Sequence, residues 1–409
     1  MGSNHRMKRF LLLLAPLFHV HLRSGLSDPG DMGRATTSAT GSARRHSVPL
    51  LPVALLSLAL CVLALPACDG PRENDSASGL RQSGEFIFFN FPEDTPQPIL
   101  EAFEDEFGAK VIYESFQSPE EAVERLRGGM VCDVILIENQ MIRPLAEEGL
   151  LLPLNLSNIP NFRNVSANFR DLAFDPRNRH SVPADYGTAG MLVRTDLVGD
   201  GLTKWADLWD ASLSGKIAFR NQPREIIGMT LLSLNFPLNS EDPQEHALAL
   251  KRLLALRPSI VMTDLEASKS LPRLLGGEVA VLHGYSSDYQ IARRLNPAVR
   301  YILPREGSAL WGDSYVISSR TANPRMAENF INFMMRPEIA AAIVNAKGYA
   351  SANEPAAQFI KPEILDDPAV YPPREVLRQA NIIQPLTPQG EALFAETWKK
   401  FLNATDAEQ

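Results

Sequence analysis

The 409 residues are 45% hydrophobic, enough for one large or two medium domains with true cores, so a wholly disordered chain is excluded. A formal charge of -8, with no long lysine or arginine block in the body, argues against nucleic acid as a partner and leaves room for a cation. Three cysteines, Cys61, Cys68 and Cys132, support neither a disulfide framework nor a thiolate metal cluster.

The first eighty residues differ from the rest. A short apolar run, "MKRFLLLLAPLFHV", precedes "RRHSVPLLPVALLSLALCVLALPAC", in which Arg44 and Arg45 lead an uncharged apolar stretch that ends at Cys68. That is the layout of an export signal; its alternative is a permanent anchor, since about 20 apolar residues span a bilayer. "LPAC" resembles a bacterial lipobox, with Pro66 where a small residue is usual, which makes Cys68 the lipidation candidate. Residues 1–67 are therefore expected to be a leader that is removed, and 68–84, polar and bearing Gly, Ser and Pro, a tether.

The folded part opens with "EFIFFNF", Glu85–Phe91, an almost continuous apolar run of the kind found in parallel strands covered on both faces. In "PQPILEAFEDEFG", Ile99, Leu100, Phe103 and Phe107 fall at helical spacing and Gly108 supplies a stop. "KVIYESF" reads as a second strand. "SPEEAVERLRGG" starts a helix with Ser118 as N-cap, Pro119 at the first position and Glu121 completing a capping box. "VCDVILI" and "QMIRPLAEEG" add a third strand and helix, with Cys132 as a small apolar core residue. This rhythm is that of an open α/β sheet, whose ligands sit beyond the carboxyl ends of its strands, here Phe91–Asp94 and Glu138–Gln140.

A second unit starts near Met191. "KWADLWD" reads as a short helix, "GKIAF" as a strand, "PREIIGMTLLSL" as a helix, and "DPQEHALALKRLLAL" as a helix capped by Asp242. "GGEVAVLHGYSSD" is a glycine turn and a buried strand with a polar, aromatic end. Then come "RYILP", "REGSALWGDSYVI" and the helix "NPRMAENFINFMM". The carboxylate of Asp313 inside an apolar strand is costly unless a partner answers it, which leaves a satisfied core network or a rim that receives a cation. Trp311, two residues away on an extended segment, points the same way as Asp313.

Taken in order, "FFNFPED", "FEDEFGAKVIYESF", "CDVILIENQMIRPLAEEGLL", "SVPADYGTAGMLVRTDLV", "KWADLWDASLSGKIAF", "REGSALWGDSYVI", "AENFINFMMRPEIA" and "NAKGYASAN" resemble the spermidine/putrescine-binding family, the polyamine receptors of bacterial ABC importers. The resemblance covers about Glu85 to Leu402. It implies a two-lobed periplasmic-binding-protein fold of type II, each lobe an open α/β sheet flanked by helices, joined by crossover strands. The implied spans are 85–190 with 315–346 for the first lobe, 191–314 for the second, and 347–409 for a helical segment beside the cleft. The implied partners are a small polyamine-like cation and an inner-membrane permease, for a monomeric receptor in the periplasm that needs no cofactor and is not an enzyme.

Carried onto this chain, the family's first aromatic wall falls on Phe91, and Asp94 stands where tyrosine is frequent. Glu138 and Gln140 replace a serine and a tyrosine, and Gln222 and Glu225 match a pair of carboxylates. Tyr285 replaces a tryptophan, with Asp288 nearby. Trp311, Asp313, Tyr349 and Gln384 match directly. An alkylammonium needs carboxylate acceptors, and its methylenes need flat rings with a negative face. Several of these residues have a plainer reading: Asp94 and Glu225 as helix caps, Tyr349 as a contact behind Gly348, Phe91 as core. A carboxylate-bearing ligand would need Arg224 or Arg293 turned inward. A catalytic reading rests only on His283 beside Asp288 or Glu225, with no phosphate loop, HExxH or CxxC to support it.

Overall fold

The computed structural model describes residues 84–263 and 267–404. The expected leader and export signal, Cys68 and the tether up to residue 83 lie outside the described residues. Among the described residues no helix is long and apolar enough to cross a membrane.

The chain alternates as its apolar pattern predicts: β1 (Glu85–Asn90), α1 (Gln97–Phe107), β2 (Lys110–Ser115), α2 (Pro119–Arg127), β3 (Val134–Glu138) and α3 (Asn139–Glu147). α1 stops at Gly108, whose φ of 69° is the left-handed conformation that glycine adopts without a Cβ penalty. At the start of α2 the Ser118 hydroxyl accepts the Glu121 amide at 3.2 Å, while the Glu121 carboxylate reaches one residue further back, to the Gln117 amide at 2.8 Å. β1 lies parallel to both β2 and β3. Buried on either side, its Phe86, Phe88 and Phe89 account for the near-continuous apolar run.

β4 (Ser181–Arg194) is fourteen residues long and buried throughout. After it come β5 (Ile217–Arg220), α4 (Pro223–Ser233), α5 (Pro243–Leu256), β6 (Ile260–Thr263), α6 (Ala267–Leu275), β7 (Val281–Tyr285), α7 (Ser286–Leu295) and β8 (Val299–Ile302). β9 (Ala309–Ile317), α8 (Pro324–Met334), α9 (Pro337–Lys347), β10 (Ala350–Ser351), β11 (Asn381–Ile382) and α10 (Pro388–Asn403) follow, short helical turns aside.

The strand order is β2-β1-β3-β9-β4-β7-β5-β6, with β8 and β10 on β4 and β11 on β9. β4 belongs to two sheets: Ser181–Thr188 run antiparallel to β9, and from Ala189 on the strand pairs with β7 and β8. β9 likewise starts with Ala309 among the apolar residues of the second sheet and reaches Val316 in those of the first. These two strands are the crossovers. The border expected between residues 314 and 315 falls inside β9.

One core gathers Phe89, Phe116, Ile135, Ile142, Leu145 and Val316, with Cys132 buried in it; burial pushes the Cys132 thiol up to about 12. The other gathers Met191, Trp205, Phe219, Ile227, Leu253 and Val281. The stretch after residue 347, expected as one helical segment, divides. Ala350, Ala356, Ile360 and Val370 pack with Tyr186 and with Ala341 and Val344 of α9. α10 instead sends Phe394, Trp398 and Phe401, at i, i+4 and i+7, into the second core.

Candidate functional site

The middle of β9 sets the geometry. Asp313 lies opposite Glu138 of β3 on one side and Asp185 of β4 on the other. Residues directly opposite in antiparallel strands share a face, with Cβ atoms roughly 5 Å apart. Glu138, Asp313 and Asp185 therefore form a row of carboxylates across three strands. The register of β4 shifts between Pro183 and Asp185, and it is this bulge at Ala184 that places Asp185, instead of Ala184, across from Asp313.

Like charges directly opposite repel. Among the described residues none of the three makes an ion pair, and Oδ1 of both Asp185 and Asp313 is buried without a hydrogen-bond partner. Burial lifts the carboxyls of Asp185 and Asp313 well above the usual range, and the neighbouring acids, Asp94 for the first and Asp185, Glu138 and Asp94 for the second, lift them further. Glu138 is pushed up to about 7, first by burial and then by Glu120, against a hydrogen bond from Gln140 and the charge of Arg224.

Beside the row runs a line of rings. Tyr285, at the end of β7, donates its hydroxyl to Glu225 Oε2 at 3.0 Å and stands edge-on to Trp311, centroids 5.8 Å apart. Trp311 is in turn edge-on to Tyr349 at 6.1 Å, and the Tyr349 hydroxyl donates to Asp94 Oδ1 at 2.7 Å. Glu225, Tyr285, Trp311, Tyr349 and Asp94 thus make one continuous path from the second lobe to the first. The indole lies so close over β4 that a Cβ at Gly187 would come within 2.2 Å of it, which is why that position carries glycine. Trp311 Nε1 is buried and unpartnered.

Both capping readings give way to this path. α1 begins at Pro96 with no side-chain cap, and the Asp94 carboxylate is held by Tyr349 and Asn90; burial raises it, those two hydrogen bonds and Lys347 opposing. α4 begins at Gln222, whose half-buried side chain makes no cap bond, and Glu225 turns instead to Tyr285. Burial and then Glu138 push Glu225 up to about 8, against the Tyr285 hydroxyl and Arg220. Phe91 is half-buried, its ring 4.5 Å from Phe116 at the edge of the first core.

Two of the expected ligand residues are engaged differently from the rest. Asp288 is 2.8 Å from Arg220 and accepts the Tyr285 amide at 2.9 Å, so its charge is answered and it caps α7. The side chain of Gln384 is exposed; only its backbone is engaged, accepting from Arg224 at 3.0 Å and donating to Asn239 at 3.1 Å. Asp185, which the sequence pattern did not single out, stands in the carboxylate row. Its signal was the one that singled out Asp313, an acid within a run of apolar and small residues, "SVPADYGTAG".

The arginines that a carboxylate ligand would need are committed elsewhere. Arg224 lies over the Phe394 ring at 4.7 Å and bonds Asn239 and the Gln384 carbonyl, and Arg293 pairs with Asp367 at 2.5 Å. His283, 1% exposed, packs among Trp205, Phe219 and Tyr285, and burial and Arg220 depress it to about 3. It stays neutral and 3.5 Å from Glu225, poorly suited to take a proton.

Carboxyls raised above their unfolded values stabilise fully below those values, and the benefit is lost as pH rises through the folded ones. For Glu138 and Glu225 that window runs from about 4.5 to about 8. The depressed histidines, His246 and His283, act below about 6.5, in the opposite sense. Scanning calorimetry of the empty protein between about pH 7 and 9, above the histidine range, is therefore expected to show the melting temperature falling, and Glu225→Gln to flatten the fall. A rising melt would mean that cations answer these acids.

Residues 99–372 match the family described as bacterial extracellular solute-binding protein, a span of two-thirds of the chain. The chain belongs to that family. A spermidine/putrescine-binding periplasmic protein of Haemophilus influenzae is 28% identical over 335 residues, 80% of this chain and 92% of its relative. A putrescine/cadaverine-binding protein of Pseudomonas aeruginosa is 29% identical over 328 residues, covering 77% and 92%. The solved structure of a spermidine/putrescine ABC transporter substrate-binding protein of Streptococcus pneumoniae superposes with a TM-score of 0.70 at 29% identity, over 78% of this chain and 99% of that one. The extracellular solute-binding proteins of this architecture are two-lobed, type II receptors that carry solutes and catalyse nothing, so the chain is a transport protein and not an enzyme.

Proposed function

We propose that this protein is the receptor of an ABC importer for a small organic cation with at least two amines, of the putrescine and spermidine kind, and that it hands this cation to an inner-membrane permease from the periplasm. The observation that carries the reading is the row Glu138–Asp313–Asp185, three half-buried or buried acids that make no ion pair among the described residues, set beside the rings of Trp311, Tyr285 and Tyr349. An ammonium supplies the missing charge and N–H donors, and the rings flank its methylenes. Glu225, linked to the rings through Tyr285, is the acid we assign to the second amine. The names of the relatives agree with this choice.

Titration calorimetry with putrescine, spermidine and cadaverine tests it. One ligand per chain is expected, and a hundredfold excess over Kd should stabilise the fold by about 2.7 kcal/mol, seen as a higher melting temperature. Silence toward every amine would end the polyamine reading. The lobes we propose are residues 85–190 with 315–346, and 191–314, moving about β4 and β9. Lipid attachment at Cys68 belongs to the same proposal, and the intact mass of the mature protein decides it.

A further inference from the structure

We infer that Asp185 is a ligand-contacting residue of this cleft, and that Asp185 and Asp313 together hold one proton in the empty site and release it when an ammonium docks. The inference rests on the cation reading above and adds to it a residue and a proton count.

The geometry comes first. The bulge at Ala184 turns Asp185 to the face of Asp313, and the two residues are only 8% and 9% exposed. Each leaves Oδ1 without a hydrogen-bond partner, although nearly all buried polar atoms in folded proteins have one. Asp185 also lines a small recess with Tyr315, Tyr349 and Ser351, closed on its other side by apolar residues of α8 and α9 such as Met334 and Val344. A bulge that spends a residue of a buried strand to set one acid against another costs stability, and it is accounted for once a cation lies between them.

The proton follows from what faces the pair. Asp94 bears on it from the loop after β1, Glu138 from β3, Tyr315 from β9 and Tyr349 from the residue before β10. None is cationic, and the amine of Lys347, which acts on Asp94, donates to the Glu93 carbonyl. Two carboxyls this close and this buried cannot both ionise, so one keeps its proton and shares it with the other. When an ammonium arrives, the carboxyl O–H breaks, the proton passes to solvent, and N–H bonds from the ligand take its place. The pair is then fully ionised against the ligand's charge.

Spermidine is titrated into the full mature chain at pH 7 in phosphate and in Tris, whose ionisation enthalpies differ, and the difference in heat counts protons. The wild type should release more than one, because Glu225, raised to about 8, and Glu138, raised to about 7, give up protons beside the pair's own. Asp185→Asn should bind about ten- to a hundredfold more weakly and release fewer protons. Its empty form should melt no lower than the wild type, because the asparagine amide donates toward Asp313 where the shared proton did; this separates lost binding from misfolding. Unchanged affinity and proton count in Asp185→Asn would overturn this inference while the cation reading stands. A wild type that binds but releases no proton would overturn the proton step. A wild type silent toward spermidine and putrescine would overturn both readings together.

Discussion

Asp288→Ala is expected to destabilise the protein by about 3–5 kcal/mol, the cost of leaving a buried charge without its partner. The Arg220 side chain is 3% exposed; among the described residues it would keep the Ser270 hydroxyl, at 2.9 and 3.2 Å, the face of Tyr285 and the influence of Glu225. The Tyr285 amide would also lose the carboxylate that caps α7. Urea unfolding should show a lower midpoint with an unchanged slope, since the mutation weakens the native state without altering how much surface unfolding exposes. A loss below about 1 kcal/mol would mean that water reaches Arg220, and the pair would have to be treated as a surface bridge.

At Asp313 the same chemistry runs the other way. Asp313→Asn should weaken cation binding by about 1.5–3 kcal/mol, since a charge-assisted acceptor is lost. The empty protein should melt at the same or a higher temperature, because the row Glu138–Asp313–Asp185 loses its middle charge. Calorimetric titration and a melting curve on one sample read both effects. A lower melting temperature with unchanged affinity would make Asp313 a structural residue and remove the main support for the proposed site. The opposed outcomes at Asp288 and Asp313 separate an acid whose charge is answered inside the fold from one whose charge is not.

Local patterns announced most of the fold. Capping signals at Ser118 and Asp242 and the glycine stop at Gly108 act over a few residues, and each is realised. Strand pairing was less visible, because it joins residues far apart in the chain. That Asp185 stands across from Asp313 depends on a single extra residue at Ala184, and no period in the sequence records a bulge. For the same reason Asp288, on α7, looked like a free acid: its partner Arg220 lies 68 positions earlier, on strand β5. What the last helix packs against was not legible either, since an apolar stripe such as Phe394, Trp398 and Phe401 shows that a face is buried and not against what.

Trp311, Asp313 and Asp185 are all carried by the two strands that link the halves of the molecule. Under the proposed mechanism the guest is gripped at the fulcrum, where a slight turn barely moves the side chains that hold it. The same turn sweeps the outer helices through a much longer arc. Occupancy would thus reach the permease magnified, as a displacement of distant surfaces that never touch the cargo.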